Sequence, residues 1–154
     1  METAVSDRIE KQVVLRAVPA RVWRALADAQ EFGSWFGVEL VGAFGPGARL
    51  RGRVTHPGHE HITMELEVAQ WEPERLLAWR WYPGAPEPGH AYQEEATTLV
   101  VFELASVPEG TLLKITESGF DQLSPERRVA AYRENEGGWE LQMQAIARHV
   151  GQAS

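Results

Sequence analysis

Cysteine is absent from this sequence of 154 residues, which excludes a disulfide framework, a thiolate nucleophile and a thiolate metal site. No apolar run approaches the length of a membrane span, and residues 1–8 lack the apolar core of a signal peptide. Nor is there a glycine-rich phosphate loop or a nucleophile-elbow pattern around a serine. We therefore expect a soluble, cytoplasmic protein that is neither a nucleotide-binding protein nor a serine hydrolase.

Basic residues are the minority, 15 against 22 acidic ones, and they form no cluster. The formal net charge of -7 would repel both nucleic acid and an anionic membrane surface, so we expect neither as a partner. With 44% hydrophobic and 24% charged residues, the chain falls within the size and composition of one globular domain. We interpret residues 1–154 as a single domain.

Most of the chain has the patterning of β-strands. A first strand is predicted at residues 8–17, and two short helices follow, one that starts at Pro19 and one at residues 28–33. Six further strands are predicted, at residues 38–44, 49–55, 62–71, 76–82, 97–105 and 111–118. Trp35 and Phe36 are expected in the connection between the second helix and these strands.

The alternation in two neighbouring strands predicts how they pair. Arg51 and Arg53 alternate with apolar residues, and so do Glu65 and Glu67 in the next strand. If the two strands form an antiparallel hairpin, opposite charges should face one another on the solvent side. We predict that Arg53 lies near Glu65 and that Arg51 lies near Glu67.

The C-terminal segment predicts one long helix over residues 123–150. Ser124 and Pro125 are typical of a helix start, and a helix of this length spans roughly 40 Å at 1.5 Å per residue. Steps of three and four residues then mark one face: Val129, Tyr132, Glu136, Trp139, Met143, Ile146 and Val150. This helix is the only element long enough to cover the sheet, so we predict an α+β fold in which a curved antiparallel sheet of about seven strands encloses a cavity beneath it.

Two adjacent glycines, Gly137 and Gly138, interrupt the middle of the predicted helix. Each glycine lowers the stability of a helix by about 1 kcal/mol relative to alanine, so the presence of two requires an explanation. Close packing of the helix against the sheet is one explanation. The alternatives are that the missing side chains leave room for a ligand or that the helix bends there.

Several motifs together resemble the START-like, or SRPBCC, superfamily. They are Val-Pro-Ala-Arg-Val-Trp-Arg-Ala-Leu at residues 18–26, Trp-Phe at 35–36, Val-Ala-Gln-Trp-Glu-Pro-Glu-Arg-Leu at 68–76 and Gly-Trp-Glu-Leu at 138–141. Within that superfamily the chain is most similar to the group named for homology to the activator of heat shock protein 90 ATPase. The resemblance implies a helix-grip fold with a cavity for an apolar ligand. It implies no single activity, since the superfamily includes lipid carriers, polyketide cyclases, hormone receptors and chaperone activators.

Aromatic side chains dominate the candidate ligand site. The predicted lining is Trp35, Phe36, Trp79, Trp81, Phe102, Tyr132, Trp139 and Met143, with Glu117 and Glu136 as polar anchors. Glu117 shares a strand face with Leu113 and Ile115 that should point towards the helix. Alternatively, helix tilt brings Glu136 to solvent and the aromatic residues simply fill the core.

No cofactor, metal ligand or catalytic residue is assigned from the sequence. His56, His59 and His61 have a spacing that can hold zinc or nickel, but a solvated hairpin tip is the favoured explanation. The leading interpretation is a module that binds a small apolar or aromatic molecule. Two alternatives remain: a polyketide cyclase-like enzyme that uses Glu117 and Glu136, and a module that contacts a chaperone. A homodimer is also left open.

Overall fold

The computed structural model describes residues 8–55, 57–58, 60, 62–82 and 97–151. Its elements are β1 (Arg8–Leu15), α1 (Pro19–Ala27), α2 (Ala29–Phe36), β2 (Val38–Val41), β3 (Arg49–Val54), β4 (Thr63–Glu72), β5 (Leu76–Trp81), β6 (Thr98–Val107), β7 (Gly110–Ser118), a 3-10 turn (Phe120–Gln122) and α3 (Pro125–Gly151). The predicted order of one strand, two short helices, six strands and one long helix is confirmed.

The seven strands form one antiparallel sheet in the order β1-β7-β6-β5-β4-β3-β2. β1 and β2 follow one another in the chain but lie at opposite edges of the sheet, so α1 and α2 carry the chain from one edge to the other. The long helix α3 packs against β1, α2 and α1. This arrangement is the α+β helix-grip architecture that the sequence predicts.

The charge pairs between β3 and β4 lie on the solvent side, but their predicted register is wrong by two residues. Arg51 is paired with Glu65 and Arg49 with Glu67, whereas Arg53 faces Thr63. The ion pairs follow this register: Arg51 Nε lies 3.9 Å from a carboxylate oxygen of Glu65, and Arg49 Nε lies 3.5 Å from one of Glu67.

Helix α2 is longer than predicted, because Gly33 does not end it. A Cβ atom at Gly33 would lie 2.1 Å from the carbonyl oxygen of Val38, so glycine is required there by the close approach of β2. The helix ends instead at Gly37, whose φ of 93° is the left-handed conformation of a helix C-cap. Trp35 and Phe36 therefore lie in the last turn of α2, not in a connection.

The buried face of α3 differs from the predicted stripe in its first half. Val129 is 40% exposed, and Glu136 is exposed as well. The residues that face the core are Ala131, Asn135, Trp139, Met143, Ile146 and Val150. The stripe is thus correct from Trp139 onwards and is displaced by one residue before it.

Two further observations bear on the sequence analysis. Among the helices in the described ranges, none combines the length and apolar character that a membrane span needs. His56, His59 and His61, the three histidines considered as a metal site, lie outside the described residues.

Candidate functional site

A carboxylate with no exposed surface lies at the centre of the site. Alternation along β7 directs Leu113, Ile115 and Glu117 to the core side, as predicted, and all three are fully buried. Glu117 is the last of them, close to the end of the strand. Its carboxylate therefore lies between the sheet and the middle of α3.

Four side chains from three other elements donate hydrogen bonds to this carboxylate. Trp139 Nε1 donates to Oε1 at 2.8 Å, and Trp81 Nε1 donates to Oε2 at 2.8 Å. The Thr98 hydroxyl lies 2.5 Å from Oε2, and Asn135 Nδ2 lies 3.0 Å from both oxygens. Trp81 ends β5, Thr98 begins β6, and the other two residues lie on α3.

The chemistry of the donors matches an ionised carboxylate. Indole and amide N–H groups can only donate, whereas an ionised carboxylate can only accept. Hydrogen bonds of this kind compensate for the loss of water around a buried charge. Throughout the described ranges, no Lys, Arg or His side chain forms an ion pair with Glu117.

Trp81 and Trp139, the two indoles that donate to the carboxylate, are in mutual contact with each other and with Phe36. The centroids of Phe36, Trp81 and Trp139 are 5.8 to 6.1 Å apart in each pair. A cleft of about 180 Å³ opens beside them, and its lining residues are Phe36, Trp81, Asn135, Gly138, Trp139 and Gln142. We call this space the aromatic cleft. It lies between the last turn of α2, the end of β5 and the middle of α3.

The glycine pair in α3 borders this space. Neither Gly137 nor Gly138 would place a Cβ atom within 4 Å of another group, so close packing does not explain them. Gly138 lines the aromatic cleft, whereas Gly137 is exposed on the helix. The explanation by close packing is therefore wrong, and the two alternatives, room for a ligand and a bend of the helix, remain.

Four of the predicted lining residues support the cleft from behind instead of lining it. Trp79 and Phe102 are fully buried, and Phe102 contacts Trp139 with ring centroids 5.9 Å apart. Trp35 donates its indole N–H to the carbonyl oxygen of Ala25 at 2.9 Å, and Met143 lies in the core. Their rings and side chains hold the lining in place.

Tyr132 and Glu136 lie away from the cleft. Tyr132 packs edge-on against Phe120 and donates its hydroxyl to the carbonyl oxygen of Arg8 at 3.1 Å. Glu136 is exposed, and Lys11 Nζ lies 2.8 Å from its carboxylate. The structure thus places Asn135, not Glu136, at the position expected for the polar anchor on α3.

Lys11 connects β1 to the outer side of α3. Its ammonium group also lies 3.1 Å from the carboxylate of Glu140. The hydrogen bond to Glu136 is the main cause that raises the pKa of Lys11 above its ordinary value of 10.5, and Glu140 adds to it against the opposing effect of burial. Glu136 therefore has a structural role on the surface of the helix.

A second charged cluster fixes the end of α3 to the short helices. Glu31 on α2 accepts hydrogen bonds from Arg21 and Arg24 on α1, and His149 Nε2 lies 3.0 Å from the same carboxylate. Burial alone would raise the pKa of Glu31, but the hydrogen bonds from His149 and Arg21 outweigh it and hold the pKa below the ordinary value of 4.5. These contacts hold the start of α2 against the end of α3.

Thr98, Asn135 and Gln142 were not predicted as site residues. Gln142 Nε2 donates to the carbonyl oxygen of Phe36 at 2.9 Å, which ties α3 directly to the last turn of α2. Asn135 could have been found, since it lies four residues before Trp139 and four after Ala131 on one helix face. Thr98 carries no such signal, because its role depends on the pairing of β5, β6 and β7.

Comparisons with known proteins place this geometry in a family. A model of the family described as "Activator of Hsp90 ATPase homolog 1-like protein" matches residues 16–151. A comparison with curated protein sequences gives no match.

Solved structures share the fold at low sequence identity. Protein MLL2253 from Mesorhizobium loti is 20% identical with a TM-score of 0.75, and the match covers 96% of this chain and 98% of that one. DynU16, from the dynemicin biosynthetic locus, is 22% identical with a TM-score of 0.73, and the match covers 97% of this chain but 49% of DynU16. The Aha1 dimer from Colwellia psychrerythraea is 16% identical with a TM-score of 0.70, with 96% and 98% covered.

These identities are too low to transfer an activity, so the structural likeness shows the fold alone. The family match is of a different kind, because it extends over most of the sequence. The resemblance read from the sequence motifs is confirmed. This chain belongs to the family of activator of Hsp90 ATPase homolog 1-like proteins.

Proposed function

We propose that this protein binds a small aromatic molecule in the aromatic cleft. The observation that carries the proposal is the cleft itself, an open space of about 180 Å³ beside three aromatic rings at the edge of the hydrophobic core. Small-molecule sites are concave, mostly apolar and equipped with a few fixed polar groups. Asn135 and Gln142 supply such groups, and both are held by hydrogen bonds within the protein.

The volume of the cleft limits the size of the molecule. An apolar cavity of roughly 150 Å³ is large enough to bind benzene. A space of about 180 Å³ therefore accepts one aromatic ring, or two fused rings if part of the molecule projects through the open side. Larger lipids or polyketides would not fit unless the surrounding elements moved.

Binding explains the site better than acid–base catalysis does. None of the six lining residues carries a group that titrates near neutral pH. Glu117 lies beneath them with both oxygens already accepting hydrogen bonds and no exposed surface. A general base must reach the proton that it removes, and this carboxylate has no exposed surface and does not line the cleft.

Fluorine NMR of protein labelled with 5-fluorotryptophan tests the proposal. The chain has six tryptophans, each of which can be assigned by replacement with phenylalanine. Neutral one-ring and two-ring aromatic compounds should shift the signals of Trp81 and Trp139 saturably. Trp23 and Trp71 contact one another, 5.1 Å between centroids, and neither lines the cleft, so their signals serve as an internal control.

Two substitutions in α3 provide a matched pair. Gly138→Leu should fill the cleft and abolish the shifts, whereas Gly137→Leu changes the adjacent, exposed position and should leave them unchanged. Both replace glycine by the same good helix former, so helix stability changes alike. Equal binding by the two variants, or the absence of any saturable shift in the unmodified protein, would contradict the proposal.

The proposal of a protein partner is based on the comparisons with known proteins. The family description and the Aha1 dimer support a chaperone contact and a second copy of this chain as candidates. The large apolar side chains that the structure exposes, such as Val41 and Leu141, lie on different elements, which is normal for a protein surface. Light scattering during gel filtration tests the dimer: a mass of 17.2 kDa would contradict self-association, and twice that mass would support it.

A further inference from the structure

We infer that the molecule bound in the aromatic cleft is a small aromatic amine in its protonated form. This inference rests on the proposed function and specifies its ligand class. Three features of the site carry it: a buried carboxylate that no basic side chain of the described ranges pairs with, two amide oxygens without a donor in those ranges, and the orientation of two indole N–H groups. None of them is needed merely to hold an apolar molecule.

The first feature is the charge of Glu117. Its four donors are neutral groups, and within the part of the chain that the structure describes, no basic side chain pairs with it. A negative charge enclosed in a medium of low dielectric acts at longer range than one in water. Three residues that line the cleft, Trp81, Asn135 and Trp139, donate hydrogen bonds to this carboxylate, so a cation in the cleft is attracted and a carboxylate is repelled. The formal net charge of -7 acts in the same direction.

The second feature is the hydrogen-bonding capacity left at the lining. Asn135 uses its N–H groups for Glu117, and Gln142 uses its N–H for the carbonyl oxygen of Phe36. Both assignments follow from the acceptors, because the oxygens of a carboxylate and of a backbone carbonyl can only accept hydrogen bonds. Each amide therefore keeps its side-chain oxygen, and across the described ranges neither oxygen has a donor. The lining offers acceptors, which suit a ligand that donates N–H bonds.

The third feature concerns the aromatic rings. A cation over the face of tryptophan is attracted by the negative face of the ring, and tryptophan is the strongest partner of this kind. Trp81 and Trp139 both donate their N–H to an anion, which polarises the indoles in the direction that strengthens this attraction. Phe36 contributes a third ring to the same lining.

Three probes of one size separate the alternatives: 2-phenylethylamine, 2-phenylethanol and phenylacetate. They present a cation, a neutral donor and an anion on the same ring, and butylamine controls for attraction of a cation without a ring. Titration followed by the fluorine signal of Trp139 should give a dissociation constant for the amine about tenfold below that of the alcohol. Phenylacetate and butylamine should give no saturable shift.

The outcomes distinguish this inference from the function on which it rests. If the alcohol binds as tightly as the amine, or if phenylacetate binds comparably, the ligand class is wrong while aromatic binding stands. If neither the amine nor the alcohol shifts the signals of Trp81 and Trp139, both proposals fall.

A pair of variants tests the role of the buried charge. In Glu117→Gln the tenfold preference for the amine over the alcohol should shrink to about twofold or less, because the anion is gone. Glu136→Gln removes one charge from the same region at an exposed site and should keep the full preference. A preference that survives Glu117→Gln overturns the inference. If that variant does not fold, as judged by near-ultraviolet circular dichroism, the comparison of the three probes on the unmodified protein decides.

Discussion

Glu117 has an unusual environment for an acidic side chain. Fully buried carboxylates generally have a basic partner, whereas this one is held by two indoles, a hydroxyl and an amide. The donors belong to β5, β6 and α3, so the side chain connects three elements to β7. Glu117 therefore fixes residues that line the aromatic cleft and also holds elements of the core together.

Replacing Glu117 by glutamine should destabilise the protein by about 1–3 kcal/mol, because one oxygen becomes an N–H2 group that faces donors and leaves buried hydrogen bonds unmade. Urea unfolding followed by circular dichroism measures the change. Glu136→Gln is the control, since exposed ion pairs such as the one with Lys11 contribute about 0–1 kcal/mol. Equal effects of the two substitutions would show that the four donors contribute nothing specific.

The sequence was informative about Glu117 and misleading about its partner on α3. Alternation with Leu113 and Ile115 was sufficient to turn Glu117 inwards. Asn135 and Glu136 lie four and three residues before Trp139, so both fall near its face of the helix. Tyr132 lies four residues before Glu136, and this spacing favours Glu136 as the buried residue. Asn135 is the buried residue because it donates hydrogen bonds to the carboxylate of Glu117 on β7. The sequence pattern of α3 alone does not contain this contact between helix and sheet.

The two glycines in the middle of α3 lower the stability of this helix relative to alanine. Gly137→Ala and Gly138→Ala should each stabilise the protein by about 0.5–1 kcal/mol, because alanine is the better helix former and the added methyl group meets no atom within 4 Å. Thermal unfolding of both variants measures this. Greater stability together with unchanged binding of 2-phenylethylamine in Gly138→Ala would show that the glycine serves neither packing nor ligand.

The contact between α1, α2 and the end of α3 should depend on pH. The pKa of Glu31 is lower in the folded protein than its ordinary value of 4.5, so its contribution to stability is fully present above that pH and is lost as the pH falls through the folded-state pKa. The difference in free energy of unfolding between the unmodified protein and Glu31→Gln should therefore be largest above about pH 5 and shrink below about pH 4.

Urea unfolding at a series of pH values checks this dependence. Glu39→Gln is a suitable control, because the carboxylate of Glu39 is 71% exposed and its nearest cation, Arg53, is 3.7 Å away at the surface. A difference that is the same at all pH values would contradict the assigned role of Glu31.

Strand pairing illustrates what the sequence can and cannot determine about an element. The alternation correctly assigns the outward face of β3 and β4. It leaves the register open, because Arg49, Arg51 and Arg53 repeat at the same interval as Glu65 and Glu67, and a shift of two residues still pairs opposite charges. Val54 N–H donates to the carbonyl oxygen of Ile62 at 3.0 Å, which within the described ranges is the last hydrogen bond between the two strands before the loop and agrees with the observed register.

Ligand binding should be coupled to folding of the whole domain. The aromatic cleft is formed by α2, β5 and α3, which separate when the chain unfolds. A ligand present at 100 times its dissociation constant should therefore stabilise the fold by about 2.7 kcal/mol. Thermal unfolding with saturating 2-phenylethylamine measures the effect, and Gly138→Leu should show none of it. A transition unaffected by the amine in the unmodified protein would contradict binding to the folded state.

The architecture as a whole was more predictable than the site within it. The order of elements follows from strand alternation and from one helix-length periodic segment, and these features persist when individual boundaries are wrong by a few residues. The cleft depends on details at single positions. Gly138 has no side chain to fill it, and a hydrogen bond fixes Gln142 to the carbonyl oxygen of Phe36. Such details depend on how helices and sheet are placed, which sequence periodicity does not specify.

The hydrogen bonds of Glu117 also bear on the order of events in folding. Its donors lie 18 to 36 residues away along the chain, on three elements, and the carboxylate gives up its water only when all of them have docked. We expect contacts of this kind to form after the rate-limiting step of folding, because they need several elements to be in place. Removal of the carboxylate would then leave the folding rate nearly unchanged and accelerate unfolding, so that Glu117 governs how long the native state persists more than how quickly it is reached.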